Sequence, residues 1–133
     1  MQHRLTFDKE RQLALVHYEG EVHIEESVEL LRRIIALPGW TPRCSRIVNY
    51  DRGLLGDVDD QALRSAKGEL SAMLNAAYQG RPNYLAHVCG DAIKSPIVDY
   101  WVSLGTGTYP ANLARFDTQF EAETWIEQMR AAE

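Results

Sequence analysis

Two strand-like runs open the chain, and strand-like and helix-period segments then alternate to its end; no other feature constrains the fold as much. Leu5-Thr6-Phe7 and the apolar run 13–18 are separated by the polar Asp8-Lys9-Glu10-Arg11, the pattern of a β-hairpin. Gly20 breaks the second run. Ile24, Val28, Leu31 and Ile35 then fall on one helical stripe. Glu25 and Glu26 lie in the first turn, where the helix dipole favours negative charge, and Pro38-Gly39 ends the helix. A third strand over 46–50 runs into Asp51-Arg52-Gly53, read as a polar turn. Asp57 is a fitting N-cap for the next helix, whose stripe is Leu63, Ala66, Leu70, Met73 and Ala77 and whose stop is Gly80-Arg81-Pro82.

A fourth strand is predicted over 84–89. Ser95-Pro96 then marks a helix start, with Ser as N-cap and Pro at the first helical position, and Ile97, Trp101 and Leu104 as the apolar face. A loop over 105–110 leads to a fifth strand over 113–116. Thr118 and Glu121 have capping-box spacing, followed by a stripe of Ala122, Trp125, Ile126 and Met129. The order β-β-α-β-α-β-α-β-α predicts an α/β fold: a mixed five-stranded sheet with an N-terminal antiparallel hairpin and four helices.

At 133 residues the chain is expected to form one domain with a core that needs no metal or disulfide staple. Nineteen acidic against fourteen basic residues give a net charge of −5, and no basic stripe offsets it, so a nucleic-acid partner is not expected. No apolar run reaches the ~20 residues of a membrane helix, and residues 1–8 carry no apolar signal region. The expectation is a cytoplasmic protein without membrane insertion. Cys44 and Cys89 match no zinc spacing and read as reduced, packed thiols.

Several segments together carry a family resemblance. They are Tyr18-Glu19-Gly20-Glu21-Val22, the acidic-start helix ending Leu37-Pro38-Gly39-Trp40, the strand with Asp51 at its end, and Arg115-Phe116 before the helix holding Ala122-Glu123-Thr124-Trp125-Ile126. The chain resembles the SpoIIAA-like family of small bacterial proteins, related to STAS domains, over nearly its whole length. The resemblance implies a regulatory or protein-binding module, not an enzyme, and no cofactor. STAS relatives that antagonise anti-sigma factors carry a phosphorylatable Ser or Thr after the third core strand. The matching stretch here, Asp51-Arg52-Gly53-Leu54-Leu55-Gly56-Asp57, holds no hydroxyl, so the phosphoswitch is expected to be missing. Some relatives look similar to lipid-binding CRAL-TRIO domains, which makes an apolar small molecule the rival ligand.

Four sets of residues are candidate sites. Asn49, Asp51, Arg52 and Gly53 would gather outside the carboxyl end of the third strand, where ligands of open α/β sheets sit; ordinary turn chemistry explains them equally. Asp91 and Lys94 precede a helix N-terminus that could attract an anion, although the segment lacks the second glycine of a phosphate loop. His87 and Cys89 share a strand face and could make an activated thiol, or simply pack in the core; His17 reads as a strand residue near the sheet edge. Tyr100 and Tyr109 could form an exposed aromatic patch for a ligand, a protein partner or a second copy of the chain, or be partly buried tyrosines. A protein partner, possible homodimerisation included, is the first expectation.

Overall fold

The computed structural model describes residues 3–23, 26–55, 60–106 and 109–133. Its strands are β1 (His3–Asp8), β2 (Leu13–Val22), β3 (Ser45–Leu55), β4 (Tyr84–Val88) and β5 (Asn112–Phe116). Its helices are α1 (Glu26–Ile35), α2 (Asp60–Tyr78), α3 (Ser95–Gly105) and α4 (Gln119–Ala131). The strands lie in the order β1-β2-β3-β4-β5. β1 is antiparallel to β2, and every other pairing is parallel. This is the α/β arrangement that the alternation predicts. The expectations placed on Ile24, Glu25 and the Asp57 cap lie outside the described residues, as does part of the 105–110 loop.

Side-chain alternation divides the sheet between two helical layers. Leu13, Ile47, Tyr84, Ala86 and Val88 pack with Ala122 and Ile126 of α4. Ala14, Val16, Tyr18 and Tyr50 point the other way and pack with Leu30 and Ile34 of α1 and Val98 of α3. α2 packs against α1, closing a third cluster around Leu31, Leu74 and Tyr78. α4 starts as its sequence predicts: Thr118 Oγ1 accepts the Glu121 N–H at 3.2 Å and is itself bonded to the Glu121 carboxylate at 3.0 Å. Thr118→Ala is expected to cost about 1 kcal/mol in urea unfolding. Cys44 and Cys89 are free and buried.

Several local expectations are corrected. Asp51, Arg52 and Gly53 are not a turn; they continue β3, with Arg52 opposite Glu19 and Gly53 opposite Gly20. β2 likewise runs past Gly20, which sits at φ 85. The register shifts between His17 and Glu19, so Tyr18 faces two residues, Tyr50 and Asp51. That is a β-bulge, which re-aims side chains and sharpens the twist. Gly53 is needed there, because a Cβ would lie 2.9 Å from Val22 Cγ2. His17 lies on β2, the strand next to the edge strand β1.

The inner face of α3 is also turned from the predicted one. Val98 and Gly105 are buried and Trp101 and Val102 half-buried, whereas Ile97 and Leu104 are exposed. Ser95 does not cap α3. The N-cap is Lys94, without a side-chain cap bond, and the Asp91 carboxylate accepts the N–H groups of Ile93 and Lys94 at 2.8 and 3.2 Å.

Candidate functional site

The polar residues singled out at the strand ends do converge, but largely on one another. Asn49 Oδ1 accepts the Asp51 N–H at 2.9 Å. The Asp51 carboxylate, turned outward by the bulge, accepts the Gly90 N–H at 3.0 Å, and Lys94 Nζ donates to the Asp51 carbonyl at 2.9 Å. Backbone donors from Ile93 and Lys94 hold the Asp91 carboxyl below its ordinary range. This network ties β3 to the β4–α3 connection. Arg52 is exposed beside it, and Gly53 is buried.

His87 and Cys89 do not form a reactive couple. The Tyr50 hydroxyl hydrogen-bonds His87 Nδ1 at 3.0 Å. Burial, then the nearby Arg46 charge, pushes the imidazole down to about 4. Cys89 is fully buried, and burial raises its thiol. A neutral imidazole and a protonated thiol lack the charge pairing that activates cysteine. Cys44 is likewise pushed up to about 11 by burial.

The larger feature is a cavity of about 350 Å³ between the sheet and α1, α2 and α3. Its floor is Tyr18, Val48, Tyr50, Leu85 and His87. These residues form an aromatic ladder: Tyr50 stacks on Tyr18 with centroids 5.5 Å apart and on His87 at 5.7 Å, and Trp101 meets Tyr50 edge-on at 5.9 Å. The walls include Leu30, Leu31 and Ile34 of α1, Leu63 and Leu70 of α2, and Trp101 and Leu104 of α3. Lys67 Nζ donates to the Leu104 carbonyl at 3.0 Å, bridging α2 to α3. This volume and lining suit a small-molecule site.

Tyr100 and Tyr109 both border this cavity, but they do not make the predicted exposed patch. Tyr100 is exposed, whereas Tyr109 is half-buried. Sequence reasoning placed Arg46 only as the first residue of the third strand and missed it as a floor residue of the cavity. Its signal was present: a charged residue directly before the apolar Ile47-Val48 in a strand covered on both faces.

Among the described residues, no group of His, Cys, Asp and Glu could hold a metal, and no helix is long and apolar enough to cross a membrane. No family model matches the chain, and no curated protein matches it. A chain in the crystal structure of the diguanylate cyclase SiaD in complex with its activator SiaC, from Pseudomonas aeruginosa, is similar to it. Identity is 11%, coverage is 86% of this chain and 93% of that one, and the TM-score is 0.40. A likeness at that distance carries no functional argument.

Proposed function

We propose that this protein is a non-enzymatic binding module that docks another protein on the outer face of α3. One observation carries the reading. Ile97, Tyr100 and Leu104 are 36%, 54% and 37% exposed, and their spacing of three and four places them on one stripe of α3; Ile93, 86% exposed, lies in the turn just before the helix. Apolar side chains scattered singly over a surface need no explanation, but a continuous row does. Val98, Trp101 and Gly105 occupy the inner face of α3; Tyr100 and Leu104 border the cavity along one edge of the row, whereas Ile93 and Ile97 do not. A row of about two helical turns, preceded by Ile93, matches the apolar stripe of a partner helix, with Tyr100 as the aromatic anchor. The hydroxyl-free stretch from Asp51, which forms the later part of β3, favours binding without a phosphoswitch, and the inert thiol and imidazole favour a non-enzymatic role. The Asp51–Lys94 network sets the start of α3 and positions Ile93.

A photo-crosslinking residue placed at position 97 tests this. It is expected to trap a second protein, while the same group at the isolated, exposed Phe120 does not. The trapped protein, once purified, is expected to bind the wild type and to lose at least tenfold in affinity for Ile97→Glu, which is about 1.4 kcal/mol. Equal binding by Ile97→Glu overturns the reading. A crosslinked pair of identical chains makes the row a homodimer face instead.

A further inference from the structure

The chain is acidic overall, with 19 acidic and 14 basic residues. Yet every charged side chain that lines the cavity, among the described residues, is cationic: Arg46, Arg64 and Lys67. Arg64 is exposed at the mouth, and Lys67 is half-buried and engaged with Leu104. Arg46 is different, being only 4% exposed. Its Nη2 donates to Asn83 Oδ1 at 2.7 Å, and its guanidinium lies 5.7 Å from the centroid of the Tyr78 ring. Its Nε has no hydrogen-bond partner. Among the described residues, acidic side chains pair with Arg11, Arg32 and Arg115, and none pairs with Arg46.

A buried charge is costly unless an opposite charge and hydrogen bonds meet it. Asn83 and the Tyr78 and Tyr109 hydroxyls beside it are neutral, so they solvate the guanidinium without neutralising it. Its unpartnered Nε–H leaves donor capacity that suits a carboxylate, the anion whose geometry a guanidinium matches best among small organic groups. The rest of the lining, Ser27 apart, is aliphatic and aromatic, so a bare inorganic anion would leave the cavity mostly unfilled. An occupant that satisfies both demands has an apolar body and one acid group.

We propose that the cavity binds a small amphipathic carboxylate, its apolar body against Leu30, Ile34, Leu70 and Trp101 and its carboxylate on Arg46. The site shares Tyr100 and Leu104 with the α3 docking row, but Arg46 and Leu70, on which its test rests, lie outside that row. Arg64 and Lys67, nearer solvent, bias entry toward anions.

Decanoate, used below its micellar concentration, is the probe, with decan-1-ol as its uncharged counterpart and acetate as the headgroup alone. In titration calorimetry the wild-type protein is expected to bind one decanoate at least tenfold more tightly than decan-1-ol, and to show no heat with acetate. Arg46→Met keeps the apolar stem and removes the charge; it is expected to bind decanoate no more tightly than decan-1-ol. Leu70→Trp fills the cavity from α2, leaves Arg46 in place, and is expected to abolish decanoate binding. Equal wild-type affinity for acid and alcohol overturns the proposal, as does an absence of decanoate binding. So does tight decanoate binding by Arg46→Met. If Arg46→Met does not fold, Leu70→Trp decides, and decanoate binding that survives there overturns the site.

Discussion

Tyr78→Ala is expected to cost about 3–5 kcal/mol of folding stability, a large share of the 5–15 kcal/mol typical of whole domains, in round figures. Tyr78 is only 1% exposed and is the largest of the fully buried side chains. Its ring meets Trp40 edge-on with centroids 5.5 Å apart, shares a cluster with Leu31 and Leu74, and lies beneath the Arg46 guanidinium. Its hydroxyl donates to the Cys44 carbonyl at 2.7 Å. Truncation removes the ring, leaves a void between α1 and α2, orphans the carbonyl, and takes away the aromatic face beside a buried charge. Tyr78→Phe isolates one part: it keeps the ring and leaves only the carbonyl unmet, at a cost of about 1–3 kcal/mol. Urea unfolding measures both, and the midpoint should move with the slope unchanged. A Tyr78→Ala loss below that of Tyr78→Phe would show that the end of α2 is not seated as described.

Tyr78 also shows where sequence patterning ran out. The alternation of strands and helices was legible because each element repeats its own period: Leu13, Ile47 and Tyr84 for the sheet, Ala122 and Ile126 for α4. Chain stops at Pro38-Gly39 and at Gly80-Arg81-Pro82 were legible because glycine and proline act locally. The stripe read for α2 omitted Leu74 and Tyr78, although both are buried. That helix contacts α1 on one side and the cavity on another, so its buried face is wider than one row. The extension of β3 through Asp51-Arg52-Gly53 was hidden because polar residues with a glycine also compose a turn. What keeps them in the sheet is a bulge opposite Tyr18, a pairing between strands far apart in sequence.

The site was less legible than the fold. Asn49 and Asp51 were read at the carboxyl end of β3 but lie within it, and with Asp91 and Lys94 they make hydrogen bonds that tie β3 to the start of α3. The face of α3 was misread because Ile97 and Leu104 are as apolar as Val98 and Trp101. Periodicity alone does not say which of two apolar rows faces inward. The cavity left no local signature, since its walls come from three helices and its floor from four strands.

The last expected result concerns acid. Between pH 6.5 and 4 the wild-type protein should lose about 3 kcal/mol of stability through His87 alone, from the 1.36 kcal/mol carried by each pKa unit. Its imidazole, pushed down to about 4 by burial and then by Arg46, stays neutral in the folded protein across that range. In the unfolded chain it titrates near its ordinary value of 6.5. As pH falls below that value the unfolded state takes up a proton that the folded state refuses, so unfolding is favoured. The stabilising contribution is therefore complete above about 6.5, declines through the interval, and is gone below 4. Tyr50 hydrogen-bonds the ring, and burial holds its phenol well above the ordinary value, so it remains uncharged throughout. His3 is also lowered, by burial and Arg33, but it is common to both proteins in the comparison that matters. His87→Asn keeps a hydrogen-bonding atom for Tyr50 and has no proton to gain. Urea unfolding of the two proteins at intervals from pH 7 to 4 should show their stability difference shrinking by about 3 kcal/mol as the wild type alone is penalised. Parallel curves would mean that His87 is accessible to protons in the folded state.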